Sequence, residues 1–144
     1  MAEKDCGEIG LTEKFKPTAG TEIGKQQIGI DGGMYMLLVF NDMKEMTVPG
    51  MNNGTGMMTA KMYMDEQGKI IPCAIHVGGS IGLHKHETSD DINYVLSGSG
   101  KAICDGKEEI LEKGTCHICK KGSEHSIINT GNEDLLLITV VVER

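Results

Sequence analysis

Tryptophan is absent from this sequence, and the other aromatic residues make up only 3% of it. A basic cluster is also missing. The net charge is -7 and no five Lys or Arg residues run together, so nothing would neutralise a run of phosphates and a nucleic-acid partner is not expected. No apolar run reaches the roughly 18 residues that cross a bilayer, and no membrane partner is expected either. The longest run, Leu135 to Val142, is interrupted by Thr139 and rich in β-branched residues, which reads as a buried strand. The opening residues Met1 to Asp5 lack the apolar core of a secretion signal, so the expected location is cytoplasmic. The five cysteines are then expected to be thiols rather than a disulfide framework. Neither a sustained helical stripe nor an internal repeat is visible, which argues against a helical bundle, a propeller or a solenoid.

What the chain does have is glycine, 20 of its 144 residues, spread without a fixed period. That distribution suits short strands joined by tight turns. Hydrophobic residues at 39% and charged residues at 24% are ordinary for a folded domain, and the length is that of one domain. Residues 1–33 read as an N-terminal arm, with a short edge strand around Gln26 to Ile30, and residues 34–144 as a single all-β domain. Met34 to Phe40 is the first strong strand candidate, and Val48 to Gly56 is a loop on composition. Strand-like runs follow at Lys69–Val77, Ile92–Ser97, Lys101–Cys104, Glu109–Glu112, Thr115–Cys119, Ser126–Asn129 and Leu135–Val142. Asp105-Gly106 between two of them is the strongest hairpin signal in the chain. Short strands at roughly 8–12-residue spacing define a sandwich or a barrel.

The histidines carry the functional argument. His84 and His86 are separated by one residue, so on a strand both imidazoles point to the same face and can reach one point. On a helix they would lie about 200° apart and could not share an ion. Asp91 begins a face that continues through Asn93, Val95 and Ser97, with Ile92, Tyr94 and Leu96 on the other side. His125 follows the Gly122 turn. Imidazoles and a carboxylate form a common nitrogen and oxygen set for a transition metal.

The stretch Gly78 to Gly98 resembles the first cupin motif, G-x5-H-x-H-x3,4-E-x6-G, with Gly78, His84, His86, Asp91 and Gly98 in register. Gly114 to Asn129 is similar to the second, G-x5-P-x-G-x2-H-x3-N, through Gly114, Gly122, His125 and Asn129. Asp91 stands where the family usually has Glu, and Lys120 where it usually has Pro. Glu87 and Asp90 are alternative carboxylates to Asp91. The resemblance implies a double-stranded β-helix, or jelly-roll, barrel holding one divalent transition-metal ion per chain (Mn, Zn, Fe or Ni) through His84, His86, Asp91 and His125. It further implies a homodimer, with the arm able to pair with the partner subunit.

Such a centre implies a small-molecule ligand or substrate. The leading expectation is an enzyme acting on a small polar organic acid or sugar, of isomerase, lyase, decarboxylase or oxygenase type. The alternatives are a non-catalytic small-ligand-binding cupin and a scaffold with a vestigial site. His76, just before the first motif, is the candidate catalytic acid or base, while His117 is read as surface or hydrogen-bonded. Cys116 and Cys119 form a CxxC, but on a strand their side chains point to opposite faces, beyond disulfide reach. Tyr63 and Tyr94 could offer a hydroxyl to a pocket, with core packing the expected role of Tyr94.

Overall fold

Alternation of buried and exposed residues every second position organises the molecule, as the sequence requires of strands. The computed structural model describes residues 25–28 and 34–144, with side chains from Tyr35 onward. Apart from one strand, the expected arm over residues 1–33 lies outside the described residues. That strand, β1 (Lys25–Ile28), pairs antiparallel with β2 (Met34–Leu37) in a separate two-stranded sheet.

The remaining strands form two larger antiparallel sheets. They are β3 (Met46–Pro49), β4 (Met57–Ala60), β5 (Tyr63–Asp65), β6 (Gly68–Ile75), β7 (Ser80–Lys85) and β8 (Ser89–Ser97). After them come β9 (Ser99–Cys104), β10 (Lys107–Glu112), β11 (Cys116–Cys119), β12 (Glu124–Asn129) and β13 (Leu135–Glu143). One sheet runs β11-β8-β13-β6-β4-β3 with β5 attached to β6, and the other runs β10-β9-β12-β7. Core residues come from both sheets: Ile75, Val95 and Leu137 from the larger, Ala102, Leu111 and Ile127 from the smaller. This is the jelly-roll, double-stranded β-helix architecture expected from the sequence.

The Asp105-Gly106 signal gives the β9–β10 hairpin. Cys104 pairs with Lys107 across a two-residue turn in which Asp105 and Gly106 both have positive φ, the backbone that a tight hairpin needs. Gly98 and Gly122, two of the motif glycines, sit at φ of 85° and 89°. At Gly98 an added Cβ would also lie 2.3 Å from the Asp134 carbonyl oxygen.

Three expectations change. The strand beginning at Met34 stops at Leu37, and Phe40–Asp42 forms a 3-10 turn, because the Asn41-Asp42 pair turns the chain sooner. The loop expected from Val48 gives up Val48 and Pro49 to β3, and Met51–Asn53 forms a second 3-10 turn. Pro49 is tolerated there because β3 is the end strand of its sheet. Tyr94 is not in the core: it is 45% exposed on the outer face, since the inward positions of β8 belong to Asp91, Asn93 and Val95.

Candidate metal centre

Four side chains from three strands and one turn meet in the barrel. His84 is the penultimate residue of β7, His86 lies just beyond the strand, Asp91 is on β8, and His125 is on β12, where it pairs with His84 across the sheet. All four are buried. The Nε2 atoms of the three histidines lie 3.1 Å from one another. Asp91 Oδ2 is 3.1 Å from Nε2 of His125 and 3.3 Å from Nε2 of His86. The structure therefore brings His84, His86, Asp91 and His125 together as one candidate ligand set.

Each imidazole is held by its other nitrogen. His84 Nδ1 donates to the Gly82 carbonyl at 2.7 Å, and His86 Nδ1 lies 3.4 Å from Ser89 Oγ. His125 Nδ1 faces His117 Nε2 at 2.8 Å, and His117 Nδ1 faces Glu109 at 2.6 Å. The chain is consistent in one sense only. Glu109 accepts from His117 Nδ1, His117 Nε2 accepts from His125 Nδ1, and the lone pair of His125 Nε2 is left pointing into the cluster.

The electrostatics agree with this arrangement. Burial pushes the His84 imidazole down to about 4, against the opposing pull of the Gly82 carbonyl. Burial also lowers His125, although Asp91 opposes it. Burial alone would raise Asp91, but its contacts with His125 and His86 more than offset this and hold its carboxyl well below the usual range. Burial thus disfavours the charged forms of His84 and His125 beside an ionised carboxylate. Three Nε2 atoms converge, and Asp91 Oδ1 is buried with no hydrogen-bond partner. Such a donor set fits a divalent cation and little else. With metal–nitrogen bonds of about 2.1 Å, donors at right angles lie about 3.0 Å apart and tetrahedral donors about 3.4 Å apart. The observed spacing is closer to the former.

The alternative carboxylates are accounted for. Glu87 is exposed and faces Lys85 at 3.7 Å. Asp90 turns away from the cluster, taking Lys120 Nζ at 3.0 Å, Arg144 Nε at 2.9 Å and the Lys121 amide at 2.9 Å. Lys120, at the position where the resemblance leads one to expect Pro, thus anchors the turn through a charge. Asn129 is a structural member of its motif, donating to the carbonyls of Ile75 and Glu133 at 2.8 Å each.

A cavity of about 70 Å³ opens beside the cluster. Its lining includes Met51, Met58, Ile71, Val141, Lys69 and Asn93. His76 is not part of it: it sits beyond the far end of β6 from Lys69, with its Nδ1 2.9 Å from Asp134. Neither Tyr63 nor Tyr94 lines the cavity. Cys116 is exposed and Cys119 buried, on opposite faces of β11 as expected.

Sequence reasoning missed the parts played by His117, Glu109 and Lys69. A signal for His117 existed: it shares the inward face of β11 with Cys119. Lys69 likewise falls in phase with Ile71, Cys73 and Ile75 on the inner face of β6.

A two-sheet antiparallel barrel that buries three imidazoles and a carboxylate at one point defines a class, the double-stranded β-helix proteins with a candidate metal site. Residues 73–141 match the family described as cupin domain, and the chain belongs to the cupin superfamily. It is 42% identical over 65 residues to an oxalate-binding protein of Thermotoga maritima, covering 45% of this chain and 54% of that one. It is 30% identical over 73 residues to the pectin degradation protein KdgF of Dickeya dadantii, covering 50% and 66% respectively. The matched parts thus span about half to two thirds of these curated relatives. Among solved structures, a predicted oxalate decarboxylase from Thermotoga maritima is similar with a TM-score of 0.72 and 27% identity, covering 76% of this chain and 100% of that one. The Cnp3 cupin domain of Schizosaccharomyces pombe, at 12% identity, a TM-score of 0.65 and coverage of 85% and 87%, shares the fold.

Proposed function

We propose that this chain is a divalent-metal cupin that binds a small polar organic acid in the mouth of the barrel and acts on it as an enzyme of lyase or decarboxylase type. His84, His86, His125 and Asp91 are the proposed ligands of one ion. The observation that carries this reading is the convergence of three Nε2 atoms and one carboxylate beside an otherwise mainly apolar cavity. The similar oxalate-binding protein and predicted oxalate decarboxylase support an organic acid over a sugar. The ion would supply Lewis acidity toward a carboxylate. The nitrogen and oxygen donors would suit Mn, Fe, Ni or Zn.

A second reading, ligand binding without turnover, is favoured by one observation. Outside the cluster, the titratable groups of the cavity are Lys69 and Cys73, and burial pushes the Cys73 thiol up to about 12. A reaction that needs a separate general base has no candidate there, since His76 lies elsewhere. Elemental analysis of protein purified without added metal tests the common core of both readings. Near-stoichiometric metal is expected in the parent and is lost in a His84→Ala/His86→Ala variant. Metal absent from both, with no uptake on reconstitution, would overturn it.

The proposed assembly is a homodimer in the cytoplasm. The outer face of the larger sheet carries Tyr94, Leu96, Ile118 and Leu136 exposed, with Ile92 and Ile138 half-buried between them. These residues are neighbours across β11, β8 and β13 and include no charge. A patch of this kind is suited to a like patch on a second copy around a two-fold axis. The arm of residues 1–33 is proposed to add to that contact. Four described cysteines are free thiols, which suits a reducing compartment.

A further inference from the structure

Two side chains in the cavity keep donors that the barrel itself does not use. Asn93 on β8 is 1% exposed, and its Oδ1 accepts from Thr139 at 2.7 Å. Its Nδ2 is buried with no hydrogen-bond partner. An amide donor left unpaired in the interior costs on the order of 1–3 kcal/mol, so a native structure keeps one for a reason. Lys69 on β6 is half-buried, lines the same cavity, and forms no ion pair with an acidic group among the described residues. Its charge borders a mainly apolar cavity with no counter-charge beside it.

The sheet register places both relative to the cluster. Lys69 pairs with Val141, and Val141 pairs with Asp91, so one row across three strands runs from the lysine to the candidate ligand. Strands are spaced about 4.8 Å apart, which separates the Cα atoms of Lys69 and Asp91 by about 10 Å. The adjacent inward row is Ile71, Thr139 and Asn93. Beside the histidine cluster the cavity therefore carries a cation two strands away on β6 and, two residues along β8 from Asp91, a free amide donor. The space between is about 70 Å³.

We propose that the cavity is built for a short dicarboxylate dianion. One carboxylate faces the histidine cluster, and the oxygens of the other are taken by Lys69 Nζ and Asn93 Nδ2. This deepens the metal-cupin reading and rests on it for the first carboxylate only. A monocarboxylate bound at the cluster would leave Lys69 and Asn93 unmet, and a neutral sugar would leave Lys69 without a counter-charge.

The test is calorimetric titration of Mn(II)-loaded protein with oxalate, malonate and acetate, with metal content measured on every sample. The parent is expected to bind oxalate or malonate at least tenfold more tightly than acetate. Lys69→Gln and Asn93→Leu should each weaken the dicarboxylate at least tenfold while leaving metal content and acetate affinity unchanged, and Lys69→Arg should restore part of the loss. Dicarboxylate affinity unchanged in both Lys69→Gln and Asn93→Leu, with metal bound, would overturn the inference and leave the metal reading intact. So would a parent that does not distinguish the dicarboxylates from acetate. A parent that takes up no Mn(II) overturns the metal reading. In that case the same titrations still judge Lys69 and Asn93, and no difference between parent and variants would sink the inference as well.

Discussion

At the scale of single residues, His117 has the most to explain. It is not one of the four candidate ligands, yet its side chain is fully buried between Glu109 and His125. Its effect is on orientation: its Nε2 accepts a hydrogen bond from His125 Nδ1–H and so keeps Nε2 of His125 aimed inward. Outer partners of ligating histidines typically change metal affinity by about 10–100-fold. His117→Ala is expected to weaken metal binding within that range in a chelator-competition titration, and Glu109→Gln to weaken it less, because an amide oxygen can still accept. Equal affinity in His117→Ala and the parent would show that packing alone orients His125. The pair His84 and His86 was legible in the sequence because strand alternation needs only local knowledge. His117 and Lys69 were not, because their importance depends on which strands become neighbours, and that is decided by the whole sheet.

At the scale of elements, the turn between β11 and β12 is fastened to the start of β8 by Asp90. Hydrogen bonds from the Lys121 amide, Lys120 and Arg144 hold its carboxyl well below the usual carboxylate range. A depressed folded pKa means that the proton binds the unfolded chain more tightly. Asp90 therefore stabilises the fold in full above its unfolded pKa, about 3.9, and loses that contribution as pH falls through the lower folded value. Asp90→Asn should accordingly be less stable than the parent at pH 7 in urea unfolding, with the gap closing as the pH is taken below about 4. A gap that is constant with pH would assign the role to hydrogen bonding without charge. The hairpin at Asp105-Gly106 was readable because its turn chemistry is local. Residues 38–40 were misread as strand because an apolar run does not reveal where a 3-10 turn begins.

At the scale of the molecule, the larger sheet is apolar on both faces: in β13 Leu135 and Leu137 point inward while Leu136 and Ile138 point outward. The sequence shows such a run without saying which side meets the core, and for this reason Tyr94 was expected inside. If the outer face joins two copies, Tyr94→Glu/Ile118→Glu should shift the species seen by light scattering at micromolar concentration from dimer toward monomer, with the far-ultraviolet β signature kept. A parent that is already monomeric would remove the proposed dimer.

The candidate ligands also have a topological meaning. His84 and His125 belong to one sheet, Asp91 to the other, and His86 and His125 are 39 residues apart in the chain. An ion held there would act as a reversible rivet between the two walls, tying a long loop closed in the folded state and leaving it open in the unfolded one. By mass action, ion at a hundredfold excess over its dissociation constant would add about 2.7 kcal/mol to the folded state. Its signature in hydrogen–deuterium exchange would be uneven. The amides of β7, β8 and β12 should slow on metal addition, while those of the separate β1–β2 sheet keep their rates, so that occupancy is written into the pattern of local openings as well as into the melting temperature.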